Sequence, residues 1–143
     1  MSQVLTTHSE GETEAVAEQL ARGLVGGEVV LLSGELGAGK TAFVRGLARG
    51  LGADPEQVAS PTFVLLTSYA GRLTLHHADL YRLRGAGDEA ELGLDELPGP
   101  RGVLAVEWAE RLREPPWSRA RRVLLEHLGG DERRVTLSEE EPA

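Results

Sequence analysis

The sequence contains no cysteine, which excludes disulfide bonds, cysteine-ligated zinc, thiol catalysis and iron–sulfur clusters. It also lacks a long apolar run: the longest runs, among them residues 29–32, are far shorter than the ~20 residues that a membrane-spanning helix needs. The first eight residues have neither the basic nor the apolar segment of a secretory signal. We therefore expect a cytoplasmic protein that does not bind a membrane.

Basic residues are fewer than acidic ones, and the formal net charge is −8. This charge argues against binding DNA or RNA over a broad surface, because such binding needs a basic face. Asparagine is absent, and Lys40 is the single lysine in a chain that otherwise uses arginine. Because lysine occurs at this one position, we expect it to have a specific chemical role there.

The chain does contain the apolar segments of one ordinary domain, with 143 residues of which 41% are hydrophobic. Helical spacing predicts helices over residues 12–25 and 41–51. Continuous apolar runs predict strands buried on both faces over residues 29–32 and 103–106. These elements predict an α/β fold.

Glycine-containing turns predict two hairpins. Their paired segments are 63–69 with 73–79, and 123–128 with 134–137. Residues 85–97 are expected to form a loop that leads into a short acidic helix. We predict a single domain over residues 1–138, with a central mixed β-sheet flanked by helices, and a frayed acidic tail at 139–143.

The segment GELGAGKT at residues 34–41 fits the pattern G-x-x-x-x-G-K-[ST] of a phosphate-binding loop, the P-loop. It follows a predicted strand and opens a predicted helix, so backbone amides and the helix N-terminus can face a phosphate. The slim ammonium group of Lys40 can reach the β- and γ-phosphates, and the Thr41 hydroxyl can bind Mg²⁺. ATP is favoured over GTP, because a chain without asparagine cannot contain the N-K-x-D loop that usually reads guanine.

Two carboxylates are candidates for the chemistry of a magnesium–nucleotide site, which needs an acid at the end of a neighbouring strand. Glu107 ends the apolar run at 103–106, and Asp79 ends the second segment of the first hairpin. The alternative for each is a solvated acid at the end of a strand. Trp108 either lines the nucleotide pocket or packs in the core, and His77 is either a proton relay or a packed or surface histidine.

Two further segments each have a functional interpretation and a purely structural one. The segment SPTF at residues 60–63 occupies the position where switch proteins often carry a hydroxyl that senses the γ-phosphate, but it also fits a proline turn. The basic cluster at residues 119–122 is interpreted as a solvated face, with contact to a partner or to RNA as the alternative.

Together these segments resemble the TsaE (YjeE) family of P-loop ATPases, which serve bacterial tRNA threonylcarbamoyladenosine synthesis. The segments that carry the resemblance, in the family's order and spacing, are GELGAGKT at 34–41, SPTF at 60–63, HADLYRL at 77–83, LGLDE at 92–96 and VEWAE at 106–110. The similarity extends over residues 9–137, nearly the whole chain. The H-x-D-x-Y-R-L and V-E-W combination is far more specific than a P-loop alone.

The resemblance implies a small P-loop NTPase that binds and hydrolyses ATP with Mg²⁺. It implies partnership with the proteins TsaB and TsaD, which carry out the transfer to tRNA, so that contact with tRNA is indirect. Lys40 is then a phosphate contact, Thr41 and Glu107 are Mg²⁺ ligands, and Asp79 is a second acid near the metal or the attacking water.

The same resemblance assigns Thr62 to a switch loop and makes Trp108 important for activity. It also implies which residues border the nucleotide: the stretch from Ser9 to Thr13, then Leu36, Gly37, Ala38, Gly39, Arg133 and Arg134.

Two functions of different classes remain open from the sequence. In the first, ATP hydrolysis drives cycles of a tRNA-modifying complex, slowly in the isolated chain, because neither a strong general base nor an arginine finger can be assigned. In the second, the chain is a nucleotide-gated binding module in which ATP orders residues 60–63 and controls docking without hydrolysis. A small-molecule kinase is a weaker third interpretation, because no substrate-lid insertion is evident.

Overall fold

The computed structural model describes residues 2–35, 37–58, 66–80, 93–112, 116–117 and 119–140. Its elements in chain order are β1 (Ser2–Thr7), α1 (Glu10–Arg22), β2 (Val29–Gly34), α2 (Lys40–Gly50), β3 (Leu66–Tyr69), β4 (Thr74–Asp79), β5 (Gly102–Glu107), β6 (Ala120–Gly129) and β7 (Glu132–Glu140). Short 3₁₀ turns occur at Pro55–Gln57, Leu94–Glu96 and Ala109–Arg111. No helix in these ranges combines the length and the apolar character needed to span a membrane.

The seven strands form one mixed sheet in the order β1-β7-β6-β2-β5-β4-β3. The central strands β6, β2, β5 and β4 run parallel to one another, and β1, β7 and β3 complete the sheet through antiparallel pairs. The predicted single α/β domain with a mixed sheet is therefore confirmed. β2 and β5 lie in the middle of the sheet, which explains why their sequences are almost continuously apolar.

Both helices pack on the same face of the sheet. Apolar side chains of α1 and α2, among them Ala21 and Phe43, share one core with Val30 of β2. The two helices approach closely at Gly46, where an added Cβ would lie 2.2 Å from the carbonyl oxygen of Glu14. A second core covers the opposite face and includes apolar residues from the 3₁₀ turns after β4 and β5. This layering holds the first turn of α2 against the ends of the central strands.

The predicted elements are found, with shifted ends. The first helix spans Glu10–Arg22 rather than 12–25, because the Ser9 hydroxyl accepts a hydrogen bond from the Glu12 amide at 3.1 Å and starts the helix earlier. The first hairpin is present from residue 66 onward, and residues 63–65 lie outside the described residues. The short acidic helix is the 3₁₀ turn at Leu94–Glu96, whereas residues 85–92 of the predicted loop also lie outside them.

Two features of the sheet were not anticipated. The sequence analysis did not predict β1, a short and largely exposed edge strand that is held by pairing with β7. Strand β7 continues to Glu140, although Glu139 had been assigned to a frayed tail. Pairing with Arg121 of β6 and an ion pair at 3.3 Å between these two side chains keep Glu139 in the sheet.

Candidate functional site

The candidate site lies at the carboxyl ends of three parallel strands. β2 ends at Gly34, β4 at Asp79 and β5 at Glu107, and parallel strands end at the same edge of a sheet. The first turn of α2 lies above this edge, and a pocket of about 210 Å³ opens beside it, lined in part by Lys40 and Thr41. Ligands of open α/β sheets bind in such a crevice, outside the carboxyl ends of the strands.

The glycine-rich loop at 34–41 needs glycine for backbone reasons. Gly34 has φ +143°, and an added Cβ there would lie 2.3 Å from the carbonyl oxygen of Leu125. Gly37 and Gly39 also have positive φ values, of 80° and 104°, which residues with a side chain rarely adopt. The loop can therefore turn directly from β2 into α2. The first-turn amides of a helix have no partner within the helix, so they are available to an anionic group.

Lys40 is almost fully buried, with 5% of its surface exposed, although its side chain ends in an ammonium group. Its Nζ donates hydrogen bonds to the carbonyl oxygens of Gly34 at 2.5 Å and Glu35 at 2.9 Å. The same nitrogen lies 3.9 Å from the centroid of the Trp108 ring. Burial lowers the pKa of Lys40 from the ordinary lysine value, and nearby carboxylates, Glu110 foremost, partly oppose this shift.

Glu107 and Asp79, the two candidate acids, are brought side by side at the ends of neighbouring strands. Their Cα atoms are register partners in the β4–β5 pair, and both side chains are buried, at 2% and 6% exposure. The Thr41 hydroxyl donates to Oε1 of Glu107 at 3.3 Å, which links α2 to the end of β5. The other carboxylate oxygen of Glu107, Oε2, lies 2.5 Å from Nε2 of His77.

Thr41, Glu107 and Asp79 offer only oxygen atoms, which suit a hard cation such as Mg²⁺ better than they suit copper or nickel. Magnesium is a hard cation that is usually held by one or two carboxylates, with water and phosphate oxygens completing its shell. Within the described ranges there is no group of three or more His, Asp or Glu side chains arranged to hold a metal by themselves. This donor set would therefore need oxygens from a bound phosphate or from water.

Trp108 has a backbone conformation that is unusual for its size. It has φ 60°, and among the described residues it is the one non-glycine residue with a positive φ. This turn directs the chain from β5 into the 3₁₀ turn Ala109–Arg111, so that Oε2 of Glu110 accepts a hydrogen bond from the Gly34 amide at 3.3 Å. Strained backbone of this kind is common at functional sites.

Several residues expected at the site are found at the pocket. Thr13, Gly37, Gly39, Lys40, Thr41, Asp79, Glu107 and Trp108 line it. Ala38 is fully buried beneath the loop. Leu36, and Thr62 in the expected switch loop, lie outside the described residues.

Two of the expected nucleotide contacts are placed elsewhere. Ser9 caps α1 and does not line the pocket. Arg134 also lies away from it and pairs at 3.6 Å with Glu126 of β6. Its neighbour Arg133 borders the pocket and donates to the carbonyl oxygen of Gly37 at 3.3 Å, because successive residues of a strand point to opposite faces.

Other pocket residues were not identified as site residues from the sequence. Arg45 of α2 and Asp131 of the β6–β7 turn line the pocket. No local pattern marks these two residues, since only the packing of elements that are distant in the chain brings them to this edge. Glu10, which also lines the pocket, lies within the stretch from Ser9 to Thr13 that was expected to border the nucleotide. Glu110, which accepts from the Gly34 amide but does not line the pocket, could have been found within the VEWAE segment, where it follows Glu107 by three residues.

Comparison with known proteins assigns the chain to a family. Residues 7–135 match the family model described as "Threonylcarbamoyl adenosine biosynthesis protein TsaE". A tRNA threonylcarbamoyladenosine biosynthesis protein TsaE from Treponema pallidum is 40% identical over 132 residues, covering 92% of this chain and 97% of that protein. The Bacillus subtilis protein of the same name is 42% identical over 129 residues, covering 89% and 79%.

The fold comparison agrees with the sequence comparison. The crystal structure of YdiB from Bacillus subtilis superposes with a TM-score of 0.77 at 33% sequence identity, covering 96% of this chain and 84% of that one. The family model spans α1, the glycine-rich loop, Asp79, Glu107 and most of the β6–β7 hairpin, so the match includes every described part of the pocket. The chain therefore belongs to the TsaE family of tRNA threonylcarbamoyladenosine biosynthesis proteins.

Proposed function

We propose that this protein binds ATP with Mg²⁺ and hydrolyses it, and that it thereby supports TsaB and TsaD in the threonylcarbamoyladenosine modification of tRNA. The observation that carries the proposal is that one pocket combines a glycine-rich loop at a helix N-terminus, Lys40, the Thr41 hydroxyl and two adjacent buried carboxylates. Backbone amides and an ammonium group suit phosphates, and the hydroxyl and carboxylates suit magnesium.

The chemistry of each pocket residue indicates whether it would bind magnesium or phosphate. Thr41 and Glu107 would ligate Mg²⁺, and their direct hydrogen bond would open to admit the ion. Asp79 would act on a water molecule or on the metal shell from the neighbouring strand. Lys40 would exchange its hydrogen bonds to the Gly34 and Glu35 carbonyl oxygens for phosphate oxygens.

The described site supports slow hydrolysis by the isolated chain. Two arginines border the pocket, but both are engaged within the protein. Arg133 donates to the Gly37 carbonyl, and Arg45 lies 3.8 Å from the carboxylate of Glu14. A partner that contributes positive charge would stabilise the transition state of phosphoryl transfer, so TsaB and TsaD are expected to stimulate turnover.

The protein is proposed to act in the cytoplasm, where tRNA is modified, and to reach tRNA through its partners. Its net charge of −8 disfavours direct binding to a polyanion, whether tRNA or DNA.

The test is steady-state release of phosphate from ATP, measured with and without the TsaB–TsaD pair. We expect slow turnover for the protein alone and a clear increase when the pair is added. Fast turnover that is indifferent to the pair would contradict the proposal. Repeated modification cycles supported by a non-cleavable ATP analogue would instead favour a nucleotide-gated binding module.

A further inference from the structure

A histidine that is not part of the proposed ligand set lies directly behind it. The side chain of His77 is fully buried on β4, and its Nε2 lies 2.5 Å from Oε2 of Glu107 on β5. His77 is the register partner of Ala105, two residues before Glu107, so the two side chains lie diagonally across the same face of the sheet. The histidine therefore contacts the Glu107 oxygen opposite to the one that accepts from Thr41.

The hydrogen bonding of the imidazole indicates which nitrogen carries the proton. A carboxylate oxygen only accepts, so Nε2 is the donor in this contact. Nδ1 of His77 is buried and has no hydrogen-bond partner among the described residues. A proton on Nδ1 would leave an unsatisfied buried donor, which is costly. The arrangement therefore selects the tautomer with the proton on Nε2, directed at Glu107.

We propose that His77 is a positioning residue that holds the Glu107 carboxylate in the orientation required of a magnesium ligand. The inference rests on the proposed function of this site. With Oε2 fixed by His77, rotation of the carboxylate is restricted and Oε1 stays directed toward Thr41, the other proposed ligand. Hydrogen bonds to metal-ligating carboxylates commonly set metal affinity, and their loss typically costs 10–100-fold.

The test compares two substitutions at this position with the same substitutions one residue earlier. His77→Leu removes the donor, whereas His77→Gln keeps an amide N–H near the position of Nε2. His76→Leu and His76→Gln are the matched controls, because His76 lies on the opposite face of β4 and contacts Ser68 at 2.8 Å. The measurement is the dissociation constant of Mn²⁺ from the complex with a non-cleavable ATP analogue, followed by the electron paramagnetic resonance of free Mn²⁺. Affinity for the analogue is measured in parallel without metal.

We expect His77→Leu to weaken Mn²⁺ binding about tenfold or more. Analogue affinity without metal should stay within about twofold of the wild type, because His77 contacts the proposed metal ligand rather than the glycine-rich loop. His77→Gln should recover most of the loss, and both His76 variants should bind Mn²⁺ as the wild type does. Equal Mn²⁺ affinities for His77→Leu and the wild type would overturn the inference. So would a loss of the same size in His77→Gln or in analogue binding without metal.

A second measurement on the wild-type protein covers the case in which His77→Leu does not fold. Nitrogen-15 spectra of the histidine rings should show His77 protonated at Nε2 and bare at Nδ1, and this ring should respond when the metal is added to the nucleotide complex. A proton on Nδ1, or a ring indifferent to the metal, would overturn the inference. A wild type that binds no metal–nucleotide complex would contradict the proposed function itself, and the inference with it.

Discussion

The ammonium group of Lys40 lies 3.9 Å from the centre of the Trp108 ring while it donates to the carbonyl oxygens of Gly34 and Glu35. The lone lysine of the chain is thus held within the loop it belongs to. A cation over an aromatic face is stabilised by roughly 0.5–2 kcal/mol, depending on how far it is desolvated. A triphosphate offers a stronger electrostatic partner, so binding should draw Lys40 away from these contacts.

Replacing Lys40 tests the phosphate contact. Lys40→Ala should weaken ATP binding about 10–100-fold, since a hydrogen bond to a charged group contributes about 1.5–3 kcal/mol. Lys40→Arg keeps the charge but not the slim ammonium shape, so it should restore the affinity only in part. Calorimetric titration with ATP measures both variants, and an unchanged affinity in Lys40→Ala would show that the loop does not bind phosphate through this side chain.

Replacing Thr41 tests the magnesium ligand. Thr41→Ala should reduce magnesium-dependent turnover more than it reduces nucleotide binding without metal, because the hydroxyl is proposed to contact the ion. Thr41→Ser keeps the hydroxyl and is the matched control. Turnover is measured over a range of magnesium concentrations. If Thr41→Ala and Thr41→Ser give the same magnesium dependence, the hydroxyl is not a ligand.

The contact between Lys40 and Trp108 predicts an optical signal. In a Trp117→Phe variant Trp108 is the single tryptophan, and its emission should change when ATP is added, because the charge above the ring moves. Trp117 donates its indole N–H to the carbonyl oxygen of Leu97 and does not line the pocket. The reciprocal variant, Trp108→Phe, should show little change. Equal responses from the two variants would contradict a local effect.

The close approach of α1 and α2 predicts a stability effect far from the pocket. A Cβ at Gly46 would lie 2.2 Å from the Glu14 carbonyl oxygen, so Gly46→Ala should lower the free energy of unfolding by about 1–3 kcal/mol. Gly11→Ala is the control, because a Cβ at Gly11 would lie 3.7 Å from its nearest neighbour, the Ser9 hydroxyl oxygen. The gain in helix propensity at this position should stabilise the protein by up to about 1 kcal/mol. Denaturant unfolding measures both, and similar effects would refute the packing argument.

The pKa of His76 predicts a pH dependence of stability. Burial lowers its pKa from the ordinary histidine value of 6.5, so below that pH the unfolded chain takes up a proton that the folded protein does not yet bind. The stability contributed by the neutral ring is therefore present above pH 6.5 and is lost as the pH falls toward the lowered pKa. His76→Gln removes this effect. The free energy of unfolding of the wild type, relative to His76→Gln, should decrease between pH 7.5 and pH 5 in denaturant titrations, and a constant difference would contradict the argument.

The sequence predicted the parts of this site that depend on local order along the chain. An apolar strand, a loop with glycine at fixed positions, a lysine and a hydroxyl at the start of a helix follow one another within residues 29–41. Each step is dictated by backbone sterics or by the chemistry of neighbouring residues. Asp79 and Glu107 could each be identified as an acid at the end of a strand, whereas their pairing across β4 and β5 came from the structure.

The order of the strands in the sheet could not be predicted from the sequence. Pairing of β6 with β2 joins segments that are far apart in the chain, and the apolar pattern of β6 fits several positions in a sheet. The edge strand β1 is short and exposed, so its sequence carries little signal until β7 is in place.

The amino-acid sequence by itself determined the glycine-rich turn, its lysine and the two carboxylates, because these features depend on backbone conformation and side-chain chemistry over short segments. Only the tertiary structure decided that Arg133 rather than Arg134 borders the pocket, that Glu110 contacts the Gly34 amide, and that His77 contacts Glu107. The physical reason is that these contacts depend on strand register and on the packing of distant elements. A shift of one residue in register would direct a different side chain to each of these places.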